Sequence, residues 1–123
     1  MKLLHLAKIA GQNQFTGYGA GYVAVNNQRY ERSLVVTPEV IHDAWAVTGI
    51  DAIGASELDF LLTLKPEILL LGTGTTHRFP GPATLREFAR AQIGVESMDT
   101  PAACRTFNIL MAEGRNVIAA VIV

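Results

Sequence analysis

Two stretches, Glu67–Pro82 (EILLLGTGTTHRFPGP) and Gly94–Asn108 (GVESMDTPAACRTFN), decide how this chain folds. Glu67 to Leu71 is a continuous aliphatic run that ends in glycine, the pattern of a strand covered on both faces. Pro82 suits the first turn of a helix, and Leu85, Phe88 and Ala89 follow at helical spacing until Gly94. Val95 to Met98 then reads as a second strand, which completes one βαβ crossover. Asp99 or Thr100 caps the next helix, Pro101 fits its first turn, and Ala103, Phe107, Leu110 and Met111 share its buried side. Gly114 ends that helix, and Val117 to Val123 closes the chain as another apolar strand. At least three strands thus alternate with helices, which places the chain in the α/β class.

Upstream the pattern changes. Gly17-Tyr18-Gly19-Ala20-Gly21 reads as a loop, because each glycine gives up extra backbone entropy on ordering. Tyr22–Val25 and Gln28–Val36 alternate around Asn26-Asn27, a dipeptide able to supply the positive φ angles of a type I′ turn, so an antiparallel hairpin is expected. Thr37-Pro38 interrupts the second strand, and Val40–Val47 reads as a further short strand, with a helical turn as the alternative. Ser56 is the candidate N-cap of a helix over Glu57–Leu64, which Lys65-Pro66 closes. With no repeat, low-complexity tract or linker, residues 1–123 are expected to form a single α/β domain with an N-terminal hairpin.

Composition narrows the function classes. A chain of 123 residues that is 50% hydrophobic buries a core without staples. A net charge of -1 with 17% charged residues lacks the basic excess that nucleic-acid or anionic-membrane binding needs. Cys104 is the only cysteine, which excludes an internal disulfide and fits a reducing, cytoplasmic compartment. No export signal is read in MKLLHLAKIAGQNQ, where Lys8 interrupts a short apolar patch, and no apolar run approaches the roughly 18 residues of a membrane span.

The two strand exits open on one edge of the sheet, where ligands of parallel α/β folds usually bind. Candidate binding residues there are Gly72, Thr73, Gly74, His77, Arg78, Thr100, Cys104 and Arg105. A tight glycine turn and a helix start together favour a small anion or carboxylate. Gly72-Thr73-Gly74 departs from G-x-G-x-x-G, however, and no Walker lysine is present, so the glycines serve equally as a compact strand exit stiffened by Pro80 and Pro82. Cys104 lies just inside a helix start with Arg105 beside it, the setting of a nucleophilic thiolate with His77 as base, but it also flanks the apolar side and fits as a small core hydrophobe. Arg78 and Arg105 either engage a partner's carboxylate or phosphate, or pair with Glu96 or Asp99 to hold the junctions together. Phe15, Tyr18, Tyr22 and Phe79 line either the core or a contact surface, and Trp45 reads as a packing anchor. His5, His42 and His77 lack metal-ligand spacing with one another or with Cys104, and no paired carboxylates stand out, so neither a metal, a cofactor nor a catalytic set is expected.

Gly21-Tyr22, Arg29-Tyr30-Glu31, Ser33-Leu34, Leu71-Gly72-Thr73-Gly74, Met98-Asp99-Thr100 and Ala103-Cys104-Arg105-Thr106-Phe107-Asn108 occur in an ordered set along nearly the whole chain. In this set the chain resembles the Mth-like small domain family of unknown function. That family includes a mitochondrial respiratory complex I assembly factor and the adipogenesis-associated Mth-like domain-containing protein. The resemblance implies a compact three-layer α/β domain with a mainly parallel central sheet and flanking helices. It brings no reaction or cofactor, and its mitochondrial members imply protein association. The expectation is therefore a noncatalytic cytoplasmic protein-binding or assembly-helper domain with an unidentified protein partner. The alternative is a small-anion-binding protein or thiol enzyme built on the glycine turn and Cys104.

Overall fold

The computed structural model describes residues 11–123. The reading of the N-terminal segment as free of an export signal, and His5 with it, falls outside those residues. Among the described residues eight strands and three α-helices follow in the order β1 (Phe15–Gly19), β2 (Tyr22–Val25), β3 (Gln28–Tyr30), β4 (Leu34–Val36), β5 (Ile41–His42), α1 (Ala55–Thr63), β6 (Ile68–Gly72), α2 (Pro82–Arg90), β7 (Gly94–Met98), α3 (Thr100–Ala112) and β8 (Val117–Val121). A short 3-10 turn, Ile50–Ala52, precedes α1.

The strands form two sheets, β1-β2-β3 and β5-β4-β8-β6-β7. The aliphatic run of β6 lies between β8 and β7, is parallel to both, and is covered on both faces as its continuous apolar sequence requires. The other two pairings of this sheet, β4 with β8 and β5 with β4, are antiparallel. The central sheet is therefore mixed, which corrects the mainly parallel expectation. Composition explains the change. Gln28–Tyr30 is polar and stays in the hairpin, whereas Leu34, Val35 and Val36 are all buried and require cover on both faces. The expected single strand Gln28–Val36 accordingly splits, and its second half crosses into the central sheet.

Three further expectations shift. The glycine-rich stretch is a turn only at Ala20-Gly21: Phe15–Gly19 pairs with β2, and its register slips between Phe15 and Gly17, a bulge of the kind that glycine in a strand often marks. Only Ile41–His42 of Val40–Val47 forms a ladder, while Trp45 and Val47 enter the core singly and Ala44 and Ala46 stay exposed. Helix α1 starts from Gly54, whose N–H donates to Glu57 Oε1 at 3.1 Å, and the Ser56 hydroxyl turns to Glu57 instead of capping. The Asn26-Asn27 turn behaves as read, with φ of 52° and 68° in the left-handed region.

Helices cover both faces of the central sheet. The β6–β7 crossover steps outward by one strand, and the β7–β8 crossover steps back past β6, so a common hand puts α2 and α3 on opposite faces. Leu69, Leu71, Ile118 and Ala120 meet Trp45, Ile50, Leu61 and Phe88 on the α1–α2 side. Leu70, Ala119 and Val121 meet Cys104, Phe107 and Met111 of α3 on the other, where the small sheet adds Phe15, Val23 and Val25. The small sheet is fastened to α3 by an edge-to-face pair, Phe15 on Phe107 with centroids 5.4 Å apart, and by Asn108. The Asn108 side chain, 2% exposed, donates to Phe15 O and accepts from Phe15 N–H, both at 2.8 Å. It replaces the ladder partner that this end of β1 lacks.

Candidate functional site

Strands β6 and β7 end side by side, Gly72 beside Met98, and their helices leave toward opposite faces. In open α/β sheets such a reversal leaves a crevice that ligands occupy. Here the chain's own groups close it. Thr73 N–H donates to Met98 O at 2.8 Å, Gly74 N–H to Thr100 Oγ1 at 2.9 Å, and Thr100 N–H to Gly74 O at 2.8 Å. The Thr100 hydroxyl in turn donates to Ile122 O at 2.6 Å, which ties in the strand end of β8. Two glycines make this fit. A Cβ at Gly72 would lie 3.0 Å from Thr100 Oγ1 and from Val121 Cγ1, and Gly74 has φ +98°, a conformation that side chains rarely adopt.

The structure thus brings Gly72, Thr73, Gly74 and Thr100 together, but the Thr73 and Gly74 N–H groups point at protein acceptors and not into an open anion cradle. The start of α3 is occupied as well, because Asp99 is its N-cap and its carboxylate accepts from Ala102 N–H at 2.8 Å. Thr73 also shapes the segment beyond it. Its hydroxyl donates to Thr76 O at 2.6 Å and accepts from Arg78 N–H at 3.0 Å, a tight knot that turns the chain outward.

His77, Arg78 and Phe79 leave that knot as an exposed trio. His77 Nε2 lies 3.1 Å from Ser97 Oγ, and its ring is tilted against Phe79 with centroids 4.5 Å apart. Arg78 reaches Asp51 in the 3-10 turn at 2.7 Å, with both side chains largely in solvent. Arg105, on α3 beyond the other face of the sheet, donates to the Tyr18 hydroxyl at 2.8 Å. The partners expected for the two arginines, Glu96 and Asp99, are therefore replaced by Asp51 and Tyr18. Each guanidinium fastens a different layer, so the arginines do not share one patch.

Cys104 sits apart from all of these, with 0% exposure, among the apolar side chains under α3. Burial pushes its thiol far above the ordinary range, and the Arg105 charge only partly offsets this. A thiol held neutral is no nucleophile, and His77 stands at the surface beside Ser97. Of the aromatic residues weighed for a contact surface, Phe15 and Tyr18 are core, whereas Phe79 is 74% exposed. Among the described residues no three His, Cys, Asp or Glu side chains gather as a metal site. Hollows lie away from the junction: one of about 450 Å³ beside His42, Trp45, Glu57 and Phe60, and one of about 530 Å³ between Thr37–Val40, Leu64 and Arg115.

Sequence reasoning missed Asp51 and Ser97 as the anchors of Arg78 and His77, since the residues of each pair are far apart in the chain and carry no shared motif. It also missed Asn108. A polar residue at a helical spacing that should face the core was the available signal.

Residues 15–122 match the family model described as a protein of unknown function (DUF498/DUF598). The chain belongs to this family. Solved relatives agree with the fold. A crystal structure of a protein from Bordetella parapertussis superposes with a TM-score of 0.85 at 41% identity, covering 94% of this chain and 98% of that one. A solution structure of a Bordetella pertussis protein, described as a Mth938-like domain, gives 0.81 at 35% identity over 98% of this chain and 91% of that one. The DUF498/DUF598 chain is thus a three-layer Mth938-like α/β domain, in line with the resemblance read from its motifs. Among curated relatives, the "13 kDa major membrane protein" of Francisella tularensis is 32% identical over 95% of this chain and 96% of its own length. The NADH dehydrogenase [ubiquinone] 1 alpha subcomplex assembly factor 3 of Danio rerio is 34% identical over 83% of this chain. This chain spans 59% of that assembly factor's length. Among the described residues no helix is long and apolar enough to cross a membrane.

Proposed function

We propose that this protein is a noncatalytic protein-binding domain of the assembly-helper kind, acting in the cytoplasm, and that it engages its partner around the β6–α2 junction. The observation that carries this reading is the division of labour at the strand ends. Gly74 and Thr100 bond to each other, Gly72 O accepts from Ile122 N–H, Thr73 N–H donates to Met98 O, and what these tied strand ends hold out to solvent is the His77-Arg78-Phe79 trio. A rigid base under an exposed aromatic and an arginine suits protein contact, which favours both residue types. Relatives named as complex I assembly factors support the same class of role. Buried Cys104 and the engaged Thr73 and Gly74 N–H groups weigh against the thiol-enzyme and anion-cradle alternatives. Arg105 and Cys104 enter this reading differently, Arg105 as a flanking contact on α3 and Cys104 as packing beneath it.

The test is quantitative affinity purification from cells that make the protein, comparing the wild type with an Arg78→Ala, Arg105→Ala variant verified as folded. A stoichiometric partner that is depleted with the variant is the expected result. A partner retained at full yield would remove the arginines from the contact, and the absence of any partner would overturn the binding role.

A further inference from the structure

Resting on the protein-binding reading, we propose that Phe79 and the solvent side of α2 dock an acidic segment of another protein, with an apolar side chain of that segment as its anchor. Phe79 is the one phenylalanine left largely in solvent, 74% exposed against 1% or less for Phe15, Phe88 and Phe107, with Phe60 half-buried. It is also held in place. The Thr73 hydroxyl fixes the backbone of Thr76 and Arg78, Pro80 is buried, Pro82 begins α2, and the His77 ring braces Phe79 while bonding to Ser97. An aromatic whose position is set before contact forfeits little entropy on binding, which is what a central interface anchor requires.

Charge names the partner. Residues 77–92 carry Arg78, Arg86 and Arg90 against Glu87, and Asp51 joins them from the 3-10 turn on Arg78, which leaves the surface basic in a chain whose net charge is -1. Arg86 has no ion pair among the described residues, and it stands next to Leu85, which is 40% exposed. Arg78 and Arg90 are held by solvent-exposed pairs that a partner's carboxylates can replace at little cost. An apolar centre with a basic rim matches a segment that sets carboxylates around a hydrophobic side chain. A second copy of this chain would bring the same arginines face to face across a two-fold axis, which their charge opposes. An anionic membrane is a poorer match, because three arginines fall short of the four to eight cations of lipid-binding clusters, and nine-residue α2 offers little apolar surface.

The experiment replaces Phe79 by the photo-crosslinking residue p-benzoylphenylalanine in the full chain within cells, and maps the attachment points by mass spectrometry. A parallel chain carries the probe at Ile109, exposed on α3 across the sheet. The expected result is one predominant protein adduct at position 79, attached at an apolar residue within ten residues of which Asp and Glu outnumber Lys and Arg. Adding Arg86→Glu should lower its yield about fivefold, since like charge is then set against like. Attachment to a neutral or basic segment, to lipid or to a second copy of this chain overturns the proposal, as does a yield indifferent to Arg86→Glu. A partner captured at position 109 but not at 79 overturns this surface while sparing the protein-binding role. Capture at neither position overturns both.

Discussion

Replacing Thr100 by valine keeps the branched shape of the side chain and deletes one hydroxyl that serves two backbone groups. Gly74 N–H then loses its acceptor at 2.9 Å and Ile122 O loses its donor at 2.6 Å. An unpaired buried backbone group costs about 1–3 kcal/mol, and Gly74, being half-buried, recovers part of its share from water. The expected loss is about 2–4 kcal/mol, a large fraction of the roughly 5–15 kcal/mol that holds a domain of this size together. Urea unfolding followed by tryptophan fluorescence measures it directly. Trp45 is the only tryptophan, 5% exposed and packed on the face opposite α3, so it reports global unfolding and not the local change. Thr100→Ser is the control, because it keeps both hydrogen bonds and loses one methyl group, about 1 kcal/mol. If the valine variant is as stable as the serine variant, the hydroxyl is not the pin between the two strand exits, and the rigid base claimed for the His77-Arg78-Phe79 trio loses its support.

Other consequences follow from the same contacts. Asn108→Leu strands both backbone groups of Phe15 in the core and should cost about 2–5 kcal/mol in the same unfolding assay, with wild-type stability as the contrary result. Gly72→Ala forces a methyl group to 3.0 Å from Thr100 Oγ1 and Val121 Cγ1 and should destabilise by about 1–3 kcal/mol, although alanine normally favours the folded chain over glycine. The Cys104 thiol should resist a disulfide exchange reagent in the native state, reacting only as fast as the protein unfolds. Its folded pKa is raised by burial, so the neutral thiol's stabilisation is fully present at neutral pH and is lost as pH climbs above the unfolded value of about 8.5. Stability should therefore fall more steeply between pH 9 and 10.5 in the wild type than in Cys104→Ala, by up to about 1.4 kcal/mol per pH unit.

Much of the fold was legible because burial leaves a periodic trace. Ile68–Leu71 had to be covered on both sides, and Pro82, Pro101 and Gly114 marked the start of α2 and both ends of α3 to within a residue or two, whereas α2 stops at Arg90, short of Gly94. The hairpin turn was readable from two asparagines that tolerate positive φ. What stayed hidden depended on pairings between distant segments. Nothing local tells Leu34–Val36 to leave the hairpin for β8, since the same alternation suits either sheet, and the decision rests on which offers cover to three apolar residues in a row. The glycines of β1 read as a loop because strand propensity is set by neighbours, and the neighbour here is β2. At the candidate site, residue type marked the correct stretch but not its geometry. Threonine hydroxyls could face a ligand or the chain's own backbone, and they bond to the backbone, Thr73 to Thr76 O and Arg78 N–H and Thr100 to Gly74 N–H and Ile122 O. Cys104 could sit on the flank or under the helix, a choice of about one residue of rotation that only packing against Leu70 and Val121 decides.

Hydrogen exchange by mass spectrometry, comparing the free protein with its affinity-purified complex, tests the binding surface most directly. Slowed exchange concentrated in residues 73–90, with α3 beyond Arg105 little changed, is the result expected of a contact centred on the β6–α2 junction. Unchanged exchange across 73–90 in a stoichiometric complex, with protection elsewhere, would contradict it.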